Sequence, residues 1–329
     1  MSLELSIVIP SHGGQARLPE TLAALARADL PGGVAEVVIT DDGSIPALDV
    51  GSTTVGELPL TVLRQTPNRG RAAACNLAVH AARGRVVLIL DDDMSVATDA
   101  LAGHLAAHPR GTPPRALIAR IDPDPSMFRG RFGRFLAAEE GRRQARLQSV
   151  ADRVPFSDCL TGHFSIPRAA LLQAGGYSER FSRYGFEDIE LAYRLERSGV
   201  SLCYRDELRA LHRSAFVSWR THCLRHLDSG AMACIFAAAY DDPRVRDFLR
   251  VDGMSSNAET SHFRRWMART HSFSKAMPSA LAPAILATAR AAVHVCEWLA
   301  PDRYLEAAYH IVRDMHYARG VVEGTATLA

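Results

Sequence analysis

The sequence has little lysine, no paired cysteine motif and a net charge close to zero. Lys275 is the only lysine among 38 lysine and arginine residues, and the formal net charge is +2. A balance this small gives no indication of nucleic-acid binding, and we expect no nucleic-acid partner. The six cysteines form no Cys-X-X-Cys pair, which argues against a zinc site or a disulfide framework. We expect reduced, mostly buried thiols in a cytosolic protein.

Long apolar runs are also absent. The N-terminal stretch MSLELSIVIPSHGG has no charged segment before its apolar residues, so we expect no signal peptide. The longest apolar stretch, residues 278–300, is interrupted by Pro283, Arg290, His294 and Glu297. This argues against a transmembrane span and favours a helix packed in a bundle over a helix at the membrane surface. We therefore predict a cytoplasmic protein, with peripheral binding at the membrane surface as the alternative.

Strand and helix patterns alternate over the first 120 residues. The predicted strands lie at 5–11, 36–44, 60–65, 86–90 and 116–121, and helices at 17–30, 70–84 and 98–108 separate them. Such alternation predicts an α/β fold with a mostly parallel sheet flanked by helices. After residue 215 only helical patterns are found, among them 259–271 and 302–320. We predict two domains, 1–215 and a helical C-terminal region, 216–329.

Polar residues recur at the ends of the predicted strands. Ser11 and His12 follow the first strand, Asp41 and Asp42 the second, and Asp91–Asp93 the strand VVLIL. In parallel α/β sheets ligands bind beyond the carboxyl ends of the strands. Three strands that deliver polar groups to one edge therefore indicate a binding site.

The three consecutive aspartates suit a hard divalent cation, Mg²⁺ or Mn²⁺, which takes oxygen ligands and shares them with phosphates. The alternative is a helix cap with solvated acids. His212 follows a predicted strand 119 residues after Asp93. A histidine ligand would favour Mn²⁺, although a lone histidine is more often structural.

Two further segments carry charged groups at helix starts. Glu187, Asp188 and Glu190 open the amphipathic helix predicted at 187–198, where acids either complement the helix dipole or act as a general base. Arg69 and Arg71 precede an alanine-rich helix, a position suited to an anion or a nucleotide.

These motifs, in their order along residues 3–213, resemble family 2 glycosyltransferases with the A-type glycosyltransferase fold. The segments that carry the resemblance are SIVIPSHGG, VVITDDGS, NRGRAAACNLAVHAARGRVVLILDDD, TGHFSIPRAALLQAGGYSERF and YGFEDIELAYRLERSG, with a later histidine. The GFEDIE stretch and that histidine are also similar to metal-dependent galactosyl- and N-acetylgalactosaminyltransferases. The resemblance implies transfer from a nucleoside-diphosphate sugar to an acceptor hydroxyl, with inversion.

The resemblance also implies roles for individual residues. The nucleotide sugar would contact Pro10, Ser11, Asp41, Asp42, Arg69, Arg71, Asp91 and Asp92. The metal ligands would be Asp93, Asp91 and His212. The base would be Asp188 or Glu187, with Asp188 favoured. The acceptor side would include Gly162, His163 and Tyr184.

Two departures from the family pattern affect these assignments. SHGG replaces the usual aromatic residue or asparagine after the first strand, and Tyr184 stands where relatives often carry tryptophan. The donor implied is a UDP-sugar, with GDP and dTDP as rivals. The acceptor would be a small molecule, an oligosaccharide or a lipid-linked molecule, and a homodimer is compatible with the sequence. The alternative functions are a sugar-phosphate nucleotidyltransferase and a non-catalytic nucleotide-sugar-binding protein.

Overall fold

The computed structural model describes residues 3–30, 34–126, 128–213, 218–252 and 272–328. Its strands are β1 (Leu5–Ser11), β2 (Ala35–Asp42), β3 (Thr54–Val55), β4 (Leu58–Gln65), β5 (Val86–Leu90), β6 (Met94–Val96), β7 (Arg115–Pro123), β8 (His163–Pro167) and β9 (Ser201–His212). Its helices are α1 (Leu18–Ala26), α2 (Arg71–Ala81), α3 (Ala100–Ala106), α4 (Gly130–Ser149), α5 (Arg168–Gln173), α6 (Glu187–Arg197), α7 (Trp219–Ala239), α8 (Pro243–Leu249), α9 (Ala282–Leu299) and α10 (Asp302–Leu328). The helix predicted at 259–271 lies outside the described residues.

The strands form one sheet in the order β3-β4-β2-β1-β5-β8-β7-β9-β6. Strands β4, β2, β1 and β5 are parallel, as predicted. Strand β8 enters antiparallel between β5 and β7, and β6 runs antiparallel to β9. Strand β3 also pairs antiparallel with β4, whereas β7 and β9 are parallel. The predicted α/β fold is therefore confirmed, with a mixed sheet around its parallel centre.

Burial explains why the central strands were visible in the sequence. Every residue of β1, β2 and β5 is buried, because helices cover both faces of this part of the sheet. Continuous apolar runs are the sequence pattern of such strands. The carboxyl ends of β1, β2 and β5 lie side by side, which brings the residues after them to one edge.

The chain divides into two compact units. The first comprises Met1–Arg129, Leu136–Ser182 and Glu187–Phe216, and it contains the sheet; the second comprises Gly130–Phe135, Arg183–Phe186 and Val217–Ala329. The division at residue 215 stays a prediction, because two short earlier segments also cluster with the second unit.

The second unit is helical, as predicted for the C-terminal region. Helices α7 and α10 approach closely at glycines: a Cβ atom added at Gly230 would overlap the carbonyl oxygen of Tyr317, and one at Gly320 that of Leu227. Aromatic rings pack beside them, with Phe132 edge-on to Trp219 at 5.4 Å between ring centroids. Among the helices of the described ranges, none combines the length and apolarity that a bilayer crossing requires.

Candidate active site

The three aspartates after β5 point in different directions. The Oδ1 atom of Asp91 accepts hydrogen bonds from Arg71 Nε at 3.2 Å and Nη2 at 2.9 Å. The carboxylate of Asp92 is buried and accepts from the Ser11 hydroxyl and from Arg17 Nη2 at 3.0 Å. Asp93 Oδ2 lies 3.3 Å from His212 Nε2. The triplet therefore serves three separate sets of partners.

Strand pairing brings His212 to Asp93. Strand β6 pairs antiparallel with β9 so that Met94 lies opposite His212, and the backbone N–H of Arg213 donates to the carbonyl of Asp93 at 2.8 Å. Burial disfavours the charged form of His212, but the hydrogen bond and charge of Asp93 outweigh it and raise the pKa of His212. Burial likewise opposes the Asp93 carboxylate, yet its bond to His212 lowers the pKa of Asp93. Each group thus stabilises the charged form of the other.

The predicted metal ligands are only partly assembled. Within the described ranges, no group of three or more His, Cys, Asp or Glu side chains is placed to hold a metal ion. Asp93 and His212 are together, whereas Asp91 faces Arg71. A divalent cation in a nucleotide site is commonly held by one or two protein ligands plus substrate phosphates. The pair of Asp93 and His212 fits such a cation.

The acids of the second predicted site lie at the start of helix α6. Two consecutive residues with left-handed backbone precede it, Gly185 at φ +109° and Phe186 at φ +72°. Asp188 accepts hydrogen bonds from the Thr161 backbone N–H at 3.2 Å, from the Thr161 hydroxyl and from Arg71 Nη1 at 3.0 Å. Three donors fix the orientation of this carboxylate.

Glu187 differs from its neighbour in its hydrogen bonding. Its Oε2 atom is buried and has no hydrogen-bond partner among the described residues, and its Oε1 lies 3.9 Å from Arg71 Nη1. Burial, and next the negative charge of Asp188, raise the pKa of Glu187 to about 7. At neutral pH this carboxyl is poised between its two protonation states.

The sites predicted at β1 and β2 are occupied by protein contacts. Asp41, 2% exposed, accepts from the backbone N–H groups of Ser44 at 2.9 Å and Leu48 at 3.1 Å. Asp42, 3% exposed, accepts from the backbone N–H groups of Arg69 at 2.8 Å and Gly70 at 2.9 Å. Both carboxylates therefore shape the loops of this edge, and their contact with a nucleotide stays a prediction.

The remaining predicted residues are spread over both units. Ser11 and Pro10 end β1, with Ser11 bound to Asp92, and Arg69 pairs with Glu179 at 2.7 Å. A Cβ atom added at Gly162 would lie 2.6 Å from Asp91 Oδ2, so a glycine here leaves room for that carboxylate. Tyr184 belongs to the second unit, where Arg225 lies 5.1 Å from its ring centroid.

Two groups that organise the site were not predicted from the sequence. Thr161 binds both Asp188 and Arg71, although it stands in the TGH segment that carried the resemblance. Arg17 neutralises Asp92 from the start of α1. A buried aspartate needs such a partner, but the sequence does not say which arginine supplies it.

His163 does not line the acceptor side, which corrects our prediction. Its ring is fully buried in β8, where Nε2 lies 2.9 Å from His104 Nε2 and Nδ1 lies 3.2 Å from the Arg120 carbonyl. His104 Nδ1 and His108 Nε2 each lie 2.8 Å from the Ser165 hydroxyl. The sequence pattern could not distinguish a surface histidine from this buried cluster.

The cluster fixes the protons of its three rings. The Arg120 carbonyl can only accept, so His163 carries its proton on Nδ1 and accepts on Nε2 from His104. The Nδ1 atom of His104 then accepts from the Ser165 hydroxyl, whose oxygen accepts from His108 Nε2–H. All three rings are neutral. Burial lowers the pKa of His108 and of His163 to about 4, with the charges of Arg85 and Arg115 contributing at His108.

We expect His108→Gln to reduce the acid sensitivity of the fold. The pKa of His108 is lower in the folded chain than the value of 6.5 it takes when unfolded, so its contribution is complete above pH 6.5 and is lost as the pH falls towards 4. Between pH 7 and pH 5 this histidine costs about 2 kcal/mol of stability. Glutamine keeps a donor for Ser165 and does not titrate.

The measurement is the free energy of unfolding by urea, for wild type and variant at both pH values. Glu187, whose pKa is raised, stabilises the fold as the pH falls over the same range, and it does so in both proteins. The difference between wild type and variant therefore isolates the contribution of His108. Equal losses in wild type and variant would contradict the assignment.

Comparisons with known proteins agree with this geometry. Residues 6–169 match the sequence model of glycosyl transferase family 2, and residues 141–214 match that of the N-terminal domain of galactosyltransferase. The uncharacterized glycosyltransferase YfnE of Bacillus subtilis is 23% identical over 64% of this chain and 65% of its own length. Validoxylamine A glucosyltransferase of Streptomyces hygroscopicus subsp. limoneus is 27% identical over 60% of this chain and 49% of its own. The aligned region thus spans one half to two thirds of these relatives.

Two solved structures share the fold. Mannosyltransferase PcManGT from Pyrobaculum calidifontis, in complex with GDP-Man and Mn²⁺, is 20% identical with a TM-score of 0.58 and covers 95% of this chain and 86% of its own. GalNAc-T7 with UDP, GalNAc and Mn²⁺ is 17% identical with a TM-score of 0.55, and the match covers 86% of this chain and 53% of GalNAc-T7. The fold is that of the A-type glycosyltransferases. Over residues 6–169 the chain belongs to glycosyl transferase family 2.

Proposed function

We propose that this chain transfers a glycosyl group from a nucleoside-diphosphate sugar to an acceptor hydroxyl, with inversion and with the help of a divalent cation. The observation that carries the proposal is the placement of two acidic groups at one sheet edge. Asp93 is paired with His212, and Asp188 is linked through Arg71 to Asp91. One group suits the leaving diphosphate and the other an incoming hydroxyl.

On the donor side, Asp93 and His212 would hold Mn²⁺ or Mg²⁺. A bound divalent cation would neutralise the negative charge that develops on the departing diphosphate. The Asp93 carboxylate is 15% exposed and the His212 ring 33%, so both are accessible at the edge of β6 and β9. The buried pair of Ser11 and Asp92 supports the turn that presents Asp93.

On the acceptor side, Asp188 would take the proton of the acceptor hydroxyl. The two bonds from Thr161 and the one from Arg71 hold its carboxylate in a single orientation, which a general base requires. Attack from the face opposite the diphosphate would invert the anomeric carbon. Glu187 beside it would remain a neighbour that titrates near neutral pH.

The donor we favour is a UDP-sugar, as the sequence resemblance implies. The fold is compatible with more than one nucleobase in the donor, since PcManGT is solved with GDP-Man and GalNAc-T7 with UDP. For the acceptor we propose a small molecule, an oligosaccharide or a lipid-linked molecule.

A thermal-shift panel tests the proposal. We expect UDP, GDP or dTDP to raise the melting temperature by roughly 5 °C at one hundred times its Kd, and only with Mn²⁺ or Mg²⁺ present. ADP serves as the control nucleotide. The matching nucleotide sugar should then be converted to a nucleoside diphosphate. Release of pyrophosphate would indicate a nucleotidyltransferase, and binding without turnover a non-catalytic protein.

A further inference from the structure

The guanidinium of Arg71 is saturated by protein groups. An arginine side chain has five N–H donors. Nε and one Nη2 hydrogen point to Asp91 Oδ1, at 3.2 and 2.9 Å, and the other Nη2 hydrogen to the Thr161 carbonyl at 3.2 Å. Nη1 donates to the Thr161 hydroxyl at 3.1 Å and to Asp188 Oδ1 at 3.0 Å. These five bonds use all five donors.

The backbone and a neighbouring ring hold this arginine in place. Arg71 is the first residue of α2, after Gly70, whose φ of +89° lets the chain turn into the helix. The Tyr177 ring centroid lies 5.8 Å from the guanidinium carbon. Three acidic side chains face this positive charge. Their carboxyl oxygens lie at 2.9 Å (Asp91), 3.0 Å (Asp188) and 3.9 Å (Glu187) from the Arg71 Nη atoms. A planar cation between two carboxylates fixes their separation.

We propose that Arg71 is a positioning residue that fixes Asp188 relative to Asp91, and that it is not a ligand of the nucleotide. This rests on the function proposed above, in which Asp188 is the base and the turn after β5 binds the donor. The family resemblance implied that Arg71 lies near the nucleobase or the phosphates of the donor nucleotide. With all five donors engaged, contact with a nucleotide would require the loss of bonds that orient Asp188.

Lysine cannot reproduce this arrangement. Its ammonium has three donors on a single atom, so it cannot reach Asp91, Thr161 and Asp188 from the two sides of a plane. Arg71→Lys therefore keeps the charge and removes the geometry. Thr161→Val is a milder change of nearly equal volume, which removes the hydroxyl bonds to Arg71 and Asp188 and keeps the backbone bonds.

The experiment separates turnover from nucleotide binding. The substrate is whichever of UDP-glucose, UDP-N-acetylglucosamine, GDP-mannose and dTDP-glucose the wild type consumes. The Kd of the matching nucleoside diphosphate is measured by calorimetry. We expect Arg71→Lys to lower kcat about 100-fold, because a displaced base costs that much, and to change this Kd by no more than about threefold. Thr161→Val should lower kcat about tenfold with the same unchanged Kd.

Arg168→Lys is the matched control. Arg168 donates to the carbonyls of Val79 at 2.9 Å and His80 at 3.0 Å, at the other end of α2, so its replacement should leave kcat and Kd unchanged. Either of two results in Arg71→Lys overturns this inference and leaves the proposed function standing: a Kd more than tenfold weaker, or a kcat equal to that of the wild type. If Arg71→Lys does not fold, Thr161→Val decides by the same two criteria. A wild type that consumes none of these UDP-, GDP- and dTDP-sugars overturns the proposed function and this inference together.

Discussion

Asp93→Ala should abolish glycosyl transfer and leave the fold intact. The side chain lies at the turn between β5 and β6, is partly exposed, and its Oδ2 atom is 3.3 Å from His212 Nε2. Its removal takes away one of the two proposed cation ligands and leaves no carboxylate in the pair. We expect kcat to fall by about 10³-fold or more, the order of loss seen when a principal electrostatic group of an active site is removed. The measurements are kcat with saturating Mn²⁺, and the melting temperature.

The matched control is Asp99→Ala, six residues further along the chain. Asp99 is exposed at the start of α3, and its side chain makes no capping hydrogen bond. The control should retain wild-type kcat and the Mn²⁺-dependent thermal shift with nucleoside diphosphate. Asp93→Ala should lose that shift. A variant that keeps more than about a tenth of wild-type kcat would remove Asp93 from the proposed cation site.

Asp188→Asn should lose transfer and keep nucleotide binding. The amide is nearly the same size as the carboxylate and can still accept from Thr161, but it cannot take a proton from an acceptor hydroxyl. A positioned general base contributes about 10²–10⁴-fold, so kcat should fall within that range. The Kd of the nucleoside diphosphate should not change, because Asp188 lies at α6 and not at the turn after β5. Steady-state kinetics and calorimetry measure the two quantities.

Glu187→Gln is the comparison that decides between the two acids. If Asp188 is the base, the neutral glutamine removes a neighbouring charge and should reduce kcat by no more than about tenfold. It should also remove any dependence of kcat on pH close to 7, since the pKa of Glu187 is raised to about 7. A larger loss in Glu187→Gln than in Asp188→Asn would transfer the role of base to Glu187.

The sequence predicted those elements of the fold that have a strong local pattern. Strands β1, β2 and β5 are buried on both faces and read as apolar runs. The three-residue strand β6 and the second half of β9 were missed, because RDELRALH has no regular alternation of polar and apolar residues and its pairing partners are distant in sequence. Tertiary pairing determines these strands, and local propensity does not reveal it.

The contacts of the candidate site residues could not be predicted from the sequence. The family resemblance, and not the strand ends, grouped His212 with Asp93, and the structure brings these two side chains within 3.3 Å. The sequence could not say that the three neighbouring aspartates would turn to Arg71, Arg17 and His212 in succession. Both His163 and His212 adjoin short strand patterns in the sequence. The sequence therefore could not show that the His163 side chain is buried and that of His212 partly exposed. Side-chain direction depends on strand register and on partners far along the chain.

The irregularity in β9 determines where the spacing between Asp93 and His212 along the chain can change in length. Ala119 lies opposite Arg205 but the next residue of β7, Arg120, lies opposite Arg209, so residues 206–208 of β9 have no partner in the β7 register. Insertions or deletions at 206–208 would change the size of this bulge and leave His212 opposite Met94. One residue gained or lost at 210–211 would instead turn the imidazole to the other face of the sheet. The register therefore tolerates a change of chain length at 206–208 and does not tolerate one at 210–211.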